Sequence, residues 1–364
     1  MLIDLIAGAR PNFMKVASVI RALEQRQVTG GKLRYRLVHT GQHYDMCMSG
    51  SFFDQLCIPP PDINLEVGSG TQAEQTAAIM VSYEKLLLET PSSLCLVVGD
   101  VTSTMACAIV AQKLSIPVAH VEGGIRSGDW TMPEEINRMV TDSITTWFFT
   151  TSETANDNLR SMGVGDDRIF FVGNTMIDTL LANESRFAKP DFWEDQKLSL
   201  RKYFVLTLHR PSNVDRGDSF DNLLRAISDA AKKFPVVLPA HPRTAETIKQ
   251  LGEIPQNIIL VDPQPYLEFN CLVKHARAVI TDSGGISEEA TVMGVPCLTL
   301  RDSTERPETV SIGTNELIGT DPIEIKLAID RIFAGEWKKG GIPEKWDGRS
   351  GKRIVNELEK ILCL

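Results

Sequence analysis

Three carboxylates, one histidine and several cations stand in loops and helix starts that follow short apolar runs in this chain. That arrangement suits acid and base chemistry on a phosphate-bearing substrate. The carboxylates are Asp100 in Gly99-Asp-Val-Thr-Ser-Thr104, Glu122 in His120-Val-Glu-Gly-Gly-Ile-Arg126, and Glu134 in Pro133-Glu-Glu-Ile-Asn-Arg138. Taken alone, Asp100 reads better as a helix cap, and Glu134 opens a helix where a carboxylate suits the dipole. The histidine is His209, at the end of an apolar run and followed by Arg210; it could bind phosphate or relay a proton. Arg10 and Lys15 lie in Gly8-Ala-Arg-Pro-Asn-Phe-Met-Lys15 at a helix start. A helix start is already positive, so two cations there point to a bound polyanion; the alternative for Lys15 is a solvated surface lysine. In Thr281-Asp-Ser-Gly-Gly-Ile-Ser-Glu-Glu289 an apolar run enters Ser283, Gly284 and Gly285 and a helix follows at once. Glycines admit a ligand close to the backbone and the fresh helix end offers N–H groups to a phosphate. Glu289, one turn in, is placed to accept ribose hydroxyls. Leu300-Arg-Asp-Ser-Thr-Glu-Arg306-Pro-Glu308 adds a charge-dense loop after another apolar run. Neither G-x-x-x-x-G-K-[ST] nor G-x-G-x-x-G follows any of these runs, so no P-loop or dinucleotide fingerprint competes.

The elements that must position these loops alternate short apolar runs with helical periods, the pattern of parallel α/β structure. The first series of strands is Leu2–Ala7, Arg34–His39, Leu94–Val98, Val118–Val121, Trp147–Thr151 and Ile169–Val172. Pro11 opens a helix whose Phe13, Val16, Ala17 and Ile20 share a face. The second series runs Tyr203–Leu208, Val236–Ala240, Ile258–Val261, Ala278–Thr281 and Cys297–Leu300. The pattern predicts two Rossmann-like domains, residues 1–173 and 174–349, facing across a cleft that takes the strand C-terminal ends. By analogy with such folds, a last helix near residues 350–364 would return to the first domain.

At 364 residues two domains is the starting expectation. A net charge of −9, from 38 basic and 47 acidic residues, argues against nonspecific nucleic-acid or anionic-membrane binding. The seven cysteines are scattered, without C-x-x-C or metal-ligand spacing, as expected of reduced thiols in a cytoplasmic enzyme. Cys95 and Cys297 read as small buried hydrophobes. No stretch approaches the ~18 apolar residues of a membrane span, and the N-terminal stretch lacks the basic and long apolar regions of a signal peptide.

Taken together, the motifs resemble the non-hydrolysing UDP-N-acetylglucosamine 2-epimerases, whose fold is the two-domain glycosyltransferase-B type. The ordered match includes Gly8-Ala-Arg-Pro, Gly99-Asp100, His120 to Arg126, Pro133 to Arg138, Val172-Gly-Asn-Thr175, His209-Arg210, Asp262-Pro-Gln-Pro-Tyr266, Thr281 to Ile286 and Thr304-Glu-Arg-Pro-Glu308. By position, the resemblance implies catalytic roles for Asp100, Glu122, Glu134 and His209. It implies nucleotide or substrate binding by Arg10, Lys15, Arg210, His241, Phe269, Ser283, Gly284, Gly285, Glu289 and Arg306. It further implies a cofactor-free, metal-free reaction on a UDP-sugar, with a 2-acetamidoglucal intermediate, and a homodimer serving surface-polysaccharide synthesis. Gln42, His43, Arg210 and His241 match parts of the region where many bacterial members bind a second, activating UDP-sugar, but Gly68-Ser-Gly-Thr-Gln-Ala-Glu74 departs from that pattern. The variant spelling around Arg10 and His209 leaves room for UDP-2,3-diacetamido-2,3-dideoxyglucuronate. A glycosyltransferase on the same fold and a hydrolysing epimerase are the competing readings.

Overall fold

The computed structural model describes the chain except residues 42–52, 54, 210–216, 233, 241–244, 246–247, 249–253 and 364. The side chains of residues 10 and 217–219 also fall outside that description. Two compact units emerge, Met1–Ala182 with Glu344–Leu364, and Asn183–Pro343.

The first unit is a seven-stranded parallel sheet of β1 (Leu2–Ala7), β2 (Arg34–His39), β3 (Ile63–Asn64), β4 (Leu94–Val98), β5 (Val118–Val121), β6 (Trp147–Thr150) and β7 (Ile169–Phe171). Its order is β3-β2-β1-β4-β5-β6-β7. Strand β4 is buried along its whole length, as expected of a parallel strand covered on both faces. The charge inside β1 is compensated: Asp4, fully buried, takes Arg36 Nε at 2.8 Å and the Tyr83 hydroxyl at 2.9 Å. The first helix, α1 (Arg10–Val28), carries Pro11 in its first turn and buries Phe13, Val16, Ala17 and Ile20. The order reverses between β1 and β4, so the loops after those strands flank the switch point where open α/β sheets bind ligands.

The second unit repeats the plan with six parallel strands, β8 (Phe204–Thr207), β9 (Val236–Pro239), β10 (Ile258–Val261), β11 (Ala278–Thr281), β12 (Cys297–Thr299) and β13 (Asn315–Leu317). They are ordered β10-β9-β8-β11-β12-β13, with the reversal between β8 and β11. Phe204, Leu206, Phe220, Ile280 and Leu298 form the core on one side, Tyr203, Val205, Val279 and Cys297 on the other.

The sequence places the junction at residues 173/174, but the first unit runs on to Ala182. The helix Thr175–Asn183 is tied into that unit: Thr179 Oγ1 donates to the Met14 carbonyl at 2.6 Å, and Asp178 accepts the Gly351 N–H at 2.7 Å. The last helix, Ser350–Ile361, packs on α1 with Ile354, Val355 and Leu358 buried. Gly351 lies so close that a Cβ there would sit 2.4 Å from the Ser18 carbonyl oxygen.

Candidate active site

In the first unit three loops converge at the switch point and lock one another. Asn12 on α1 accepts the Ala9 N–H at 3.0 Å and donates to the Val98 carbonyl at 2.9 Å, joining the loop after β1 to the end of β4. Gly8 must be glycine, since a Cβ would fall 2.0 Å from Ser103 Oγ. Lys15, one turn into α1, reaches Glu122 after β5, with Nζ 2.7 Å from Oε2. Both side chains are buried, which removes the solvated-lysine alternative. Glu122 sits at φ +70°, a left-handed conformation strained for a side-chain-bearing residue, and its N–H is tied to the Phe149 carbonyl at 2.8 Å.

Asp100 is partly exposed and ion-paired with Arg138 on the helix Pro133–Ile144. Arg138 also binds Glu135 at 2.7 Å. Glu135 in turn accepts the Ser127 and Gly128 N–H groups at 3.0 and 3.1 Å, which stitches the loop before the helix. Burial raises the Glu135 carboxyl, but those hydrogen bonds and Arg138 outweigh it and hold it below the usual range. Glu134, the preceding residue, is half-exposed in the first helical turn. Glu122 and Lys15 are thus brought into contact, Asp100 is steered by an arginine, and Glu134 faces partly outward.

The corresponding loops of the second unit hold the other expected residues. The backbone N–H of His209 lies 3.1 Å from Asp282 Oδ2, and His209 Nδ1 lies 2.6 Å from Asp282 Oδ1. Asp282 is wholly buried whereas the His209 ring is 62% exposed, so the aspartate aims an accessible imidazole. Ser283 opens the helix Gly284–Val292 without capping it through its hydroxyl, and Ser283, Gly284 and Gly285 are half-exposed. The hydroxyl and the first N–H groups there can receive an anion. The charge-dense loop is not a solvated face: Arg301, Arg306 and Glu308 are buried. Arg306 Nε meets Glu288 at 2.5 Å. Arg301 pairs with Glu305 at 2.8 Å; burial raises that carboxyl, yet Arg301 holds it down at about 2.

Glu289 is only 3% exposed and accepts the Tyr266 hydroxyl at 3.0 Å, a setting the sequence reading did not foresee. Burial pushes its carboxyl up to about 7, against the pull of Tyr266. Phe269 lies half-buried against the Val205 and Val279 side of the core. The Arg10 side chain, Arg210, His241, Gln42 and His43 lie outside the described residues. Sequence reasoning also missed the partners Asn12, Glu135, Arg138, Asp142, Tyr266, Asp282 and Glu288. Buried charge after a strand was the signal for some of them, but the pairings join positions far apart in the chain.

The family model described as UDP-N-acetylglucosamine 2-epimerase matches residues 25–359. The UDP-N-acetylglucosamine 2-epimerase of Methanocaldococcus jannaschii is 38% identical over 371 residues, covering 98% of this chain and 99% of the relative. The UDP-2,3-diacetamido-2,3-dideoxy-D-glucuronate 2-epimerase of Pseudomonas aeruginosa is 39% identical over 322 residues, covering 88% of each. Among solved structures, the Methanocaldococcus jannaschii enzyme in complex with UDP-GlcNAc and UDP superposes with a TM-score of 0.88 at 38% identity. That superposition spans 99% of this chain and 100% of the other.

Proposed function

The chain belongs to the UDP-N-acetylglucosamine 2-epimerase family, and we propose that it interconverts UDP-N-acetylglucosamine and UDP-N-acetylmannosamine by elimination and re-addition of UDP. It is an isomerase acting on a UDP-sugar. The second unit holds the nucleotide: the helix opening at Ser283 and the Arg306 guanidinium receive the diphosphate, with Glu289 and Phe269 around the nucleoside. In the first unit a carboxylate removes the C2 proton as the C1–O bond breaks and its electron pair leaves with UDP. The hydrogen on C2 is not adjacent to a carbonyl, so it is a poor acid. Stabilising the departing diphosphate with cations and helix-end N–H groups is what lowers the barrier. Re-addition of UDP to C1 with proton delivery to the opposite face of C2 completes inversion. Two faces need more than one proton-transfer group, which Asp100, Glu122 and Glu134 supply between them. His209 stabilises phosphate charge.

The observation that supports this reading best is the buried Lys15–Glu122 pair at a strained backbone position. Incubation with UDP-N-acetylglucosamine in heavy water is expected to place deuterium at C2 of both epimers. Turnover without label would remove the elimination route. The kinship with the diacetamido-glucuronate 2-epimerase supports a second substrate reading. A panel of UDP-sugars scored by NMR for C2 inversion separates the two; free N-acetylmannosamine would instead mark a hydrolysing epimerase, and an acceptor-dependent product a glycosyltransferase. We place the enzyme in the cytoplasm as a homodimer supplying surface polysaccharide, to be checked by fractionation and sedimentation. Among the described residues no helix is long and apolar enough to cross a membrane.

A further inference from the structure

His120, on β5, has no part in the scheme above, yet it is fully buried between the two loops that hold Asp100 and Glu122. Its Nε2 lies 2.8 Å from the Gly99 carbonyl oxygen, which can only accept, so Nε2 carries a hydrogen. Its Nδ1 lies 2.7 Å from Asp142 Oδ1. The other Asp142 oxygen accepts the Gly124 N–H at 3.0 Å and the Arg126 guanidinium at 2.7 Å. Burial raises the Asp142 carboxyl, but His120 and Arg126 outweigh it and hold it below the usual range, so the carboxylate is an acceptor at both oxygens. Both ring nitrogens thus face acceptors. A chain of ion-pair and hydrogen-bond contacts runs from Arg126 through Asp142 and His120 to the carbonyl of the residue preceding Asp100. Gly123 makes room for it, because a Cβ there would meet Phe148 at 2.9 Å and both His120 and Asp142 at 3.4 Å. On the far side of Gly99 stands the Lys15–Glu122 pair, since a Cβ at Gly99 would lie 3.1 Å from Lys15 Nζ and 3.9 Å from Glu122 Oε2.

We propose that His120 and Asp142 form a positioning pair for proton transfer: the ring, donating from Nε2, pins the Gly99–Asp100 peptide, and Asp142 pins the turn after Glu122, so that both carboxylates are held in working orientation. The peptide unit is planar, so fixing the Gly99 carbonyl also fixes the plane from which Asp100 departs. Glu122, at φ +70° beside this anchor, holds a left-handed conformation that needs outside support. The pair touches no substrate. It rests on the 2-epimerase reading only for what the two carboxylates do.

The intact protein, labelled with 15N-histidine, provides the first test at neutral pH. The Nε2–H of His120 is expected to give a signal protected from solvent exchange; a His120 ring without a hydrogen on Nε2 would overturn the proposal. The second test is kinetic. Asp142→Asn keeps the shape but ends the charged acceptor, and is expected to lower kcat ~10- to 100-fold while KM and UDP affinity hold. His120→Gln, which can still donate to Gly99, is expected to retain more activity than His120→Leu, each measured per UDP-binding site so that misfolded protein is not counted. If Asp142→Asn turns over like wild type, or Gln and Leu at 120 are equally impaired, the positioning role is wrong. The NMR spectrum is read without substrate, so wild-type protein lacking turnover on any UDP-sugar would sink the 2-epimerase reading separately.

Discussion

A buried ammonium 2.7 Å from a buried carboxylate makes Glu122 the residue where charge can be tested most cleanly. Glu122→Gln keeps the volume and removes the base, so turnover is expected to fall at least ~100-fold while UDP affinity in calorimetry stays within error. Normal epimerisation by this variant would take Glu122 out of the reaction. Glu289 makes a different prediction, because its carboxyl is raised to about 7 from an ordinary 4.5, chiefly by burial. The folded protein then holds this proton where the unfolded chain has lost it, so the stabilisation is complete below pH 4.5 and fades as pH rises through about 7. Between pH 5 and 8 the wild type should lose up to ~3 kcal/mol of unfolding free energy relative to Glu289→Gln, read from urea melts. Parallel pH profiles would show the carboxyl to be ionised throughout. These residues were legible in the sequence as types after strands. Their settings were not: Tyr266 lies 23 positions from Glu289, and the Asp282 that aims His209 lies 73 positions away. Such partners are fixed by sheet order, which residue types alone do not display.

At the scale of elements, long apolar runs such as Leu94–Val98 declared themselves because burial on both faces leaves no polar position. The edge strands Ile63–Asn64 and Asn315–Leu317 did not, since two or three residues are too few for any period and each keeps a polar side chain. The place of the helix Thr175–Asn183 was hard to read for a related reason: its ties to Met14 and Gly351 are tertiary and leave no mark on its own sequence. Those ties make Gly351 a sensitive position. A methyl there must move the Ser18 backbone, which stands 2.4 Å away. Gly351→Ala is expected to cost ~1–3 kcal/mol through overpacking, with the melting temperature falling ~2–4 °C per kcal/mol. Gly68→Ala, which meets nothing within 4 Å, serves as the neutral control in the same calorimetric scan. Equal melting temperatures for the two variants would mean that the terminal helix does not press on α1.

For the whole molecule the division of the chain has a consequence that fragments can expose. Residues 183–343 form a unit with six strands, their own core on both faces of the sheet, and the helix at Ser283 with its neighbour Arg306. That segment, expressed alone, is expected to fold cooperatively and to bind UDP. Residues 1–182 lack what the other fragment has. Without Glu344–Leu364 the face of α1 that receives Ile354, Val355 and Leu358 is exposed, and Asp178 loses the Gly351 N–H. Burying three such side chains is worth several kcal/mol at ~1.5–3 kcal/mol each, comparable with the whole stability of a domain. The fragment 1–182 should therefore melt well below the intact protein, and adding the peptide 344–364 in trans should raise its melting temperature in a concentration-dependent way. Circular dichroism melts with and without the peptide, and calorimetry with UDP on the other fragment, decide the matter. A stable 1–182 indifferent to the peptide, or a folded 183–343 blind to UDP, would overturn the respective assignment of core and of nucleotide site.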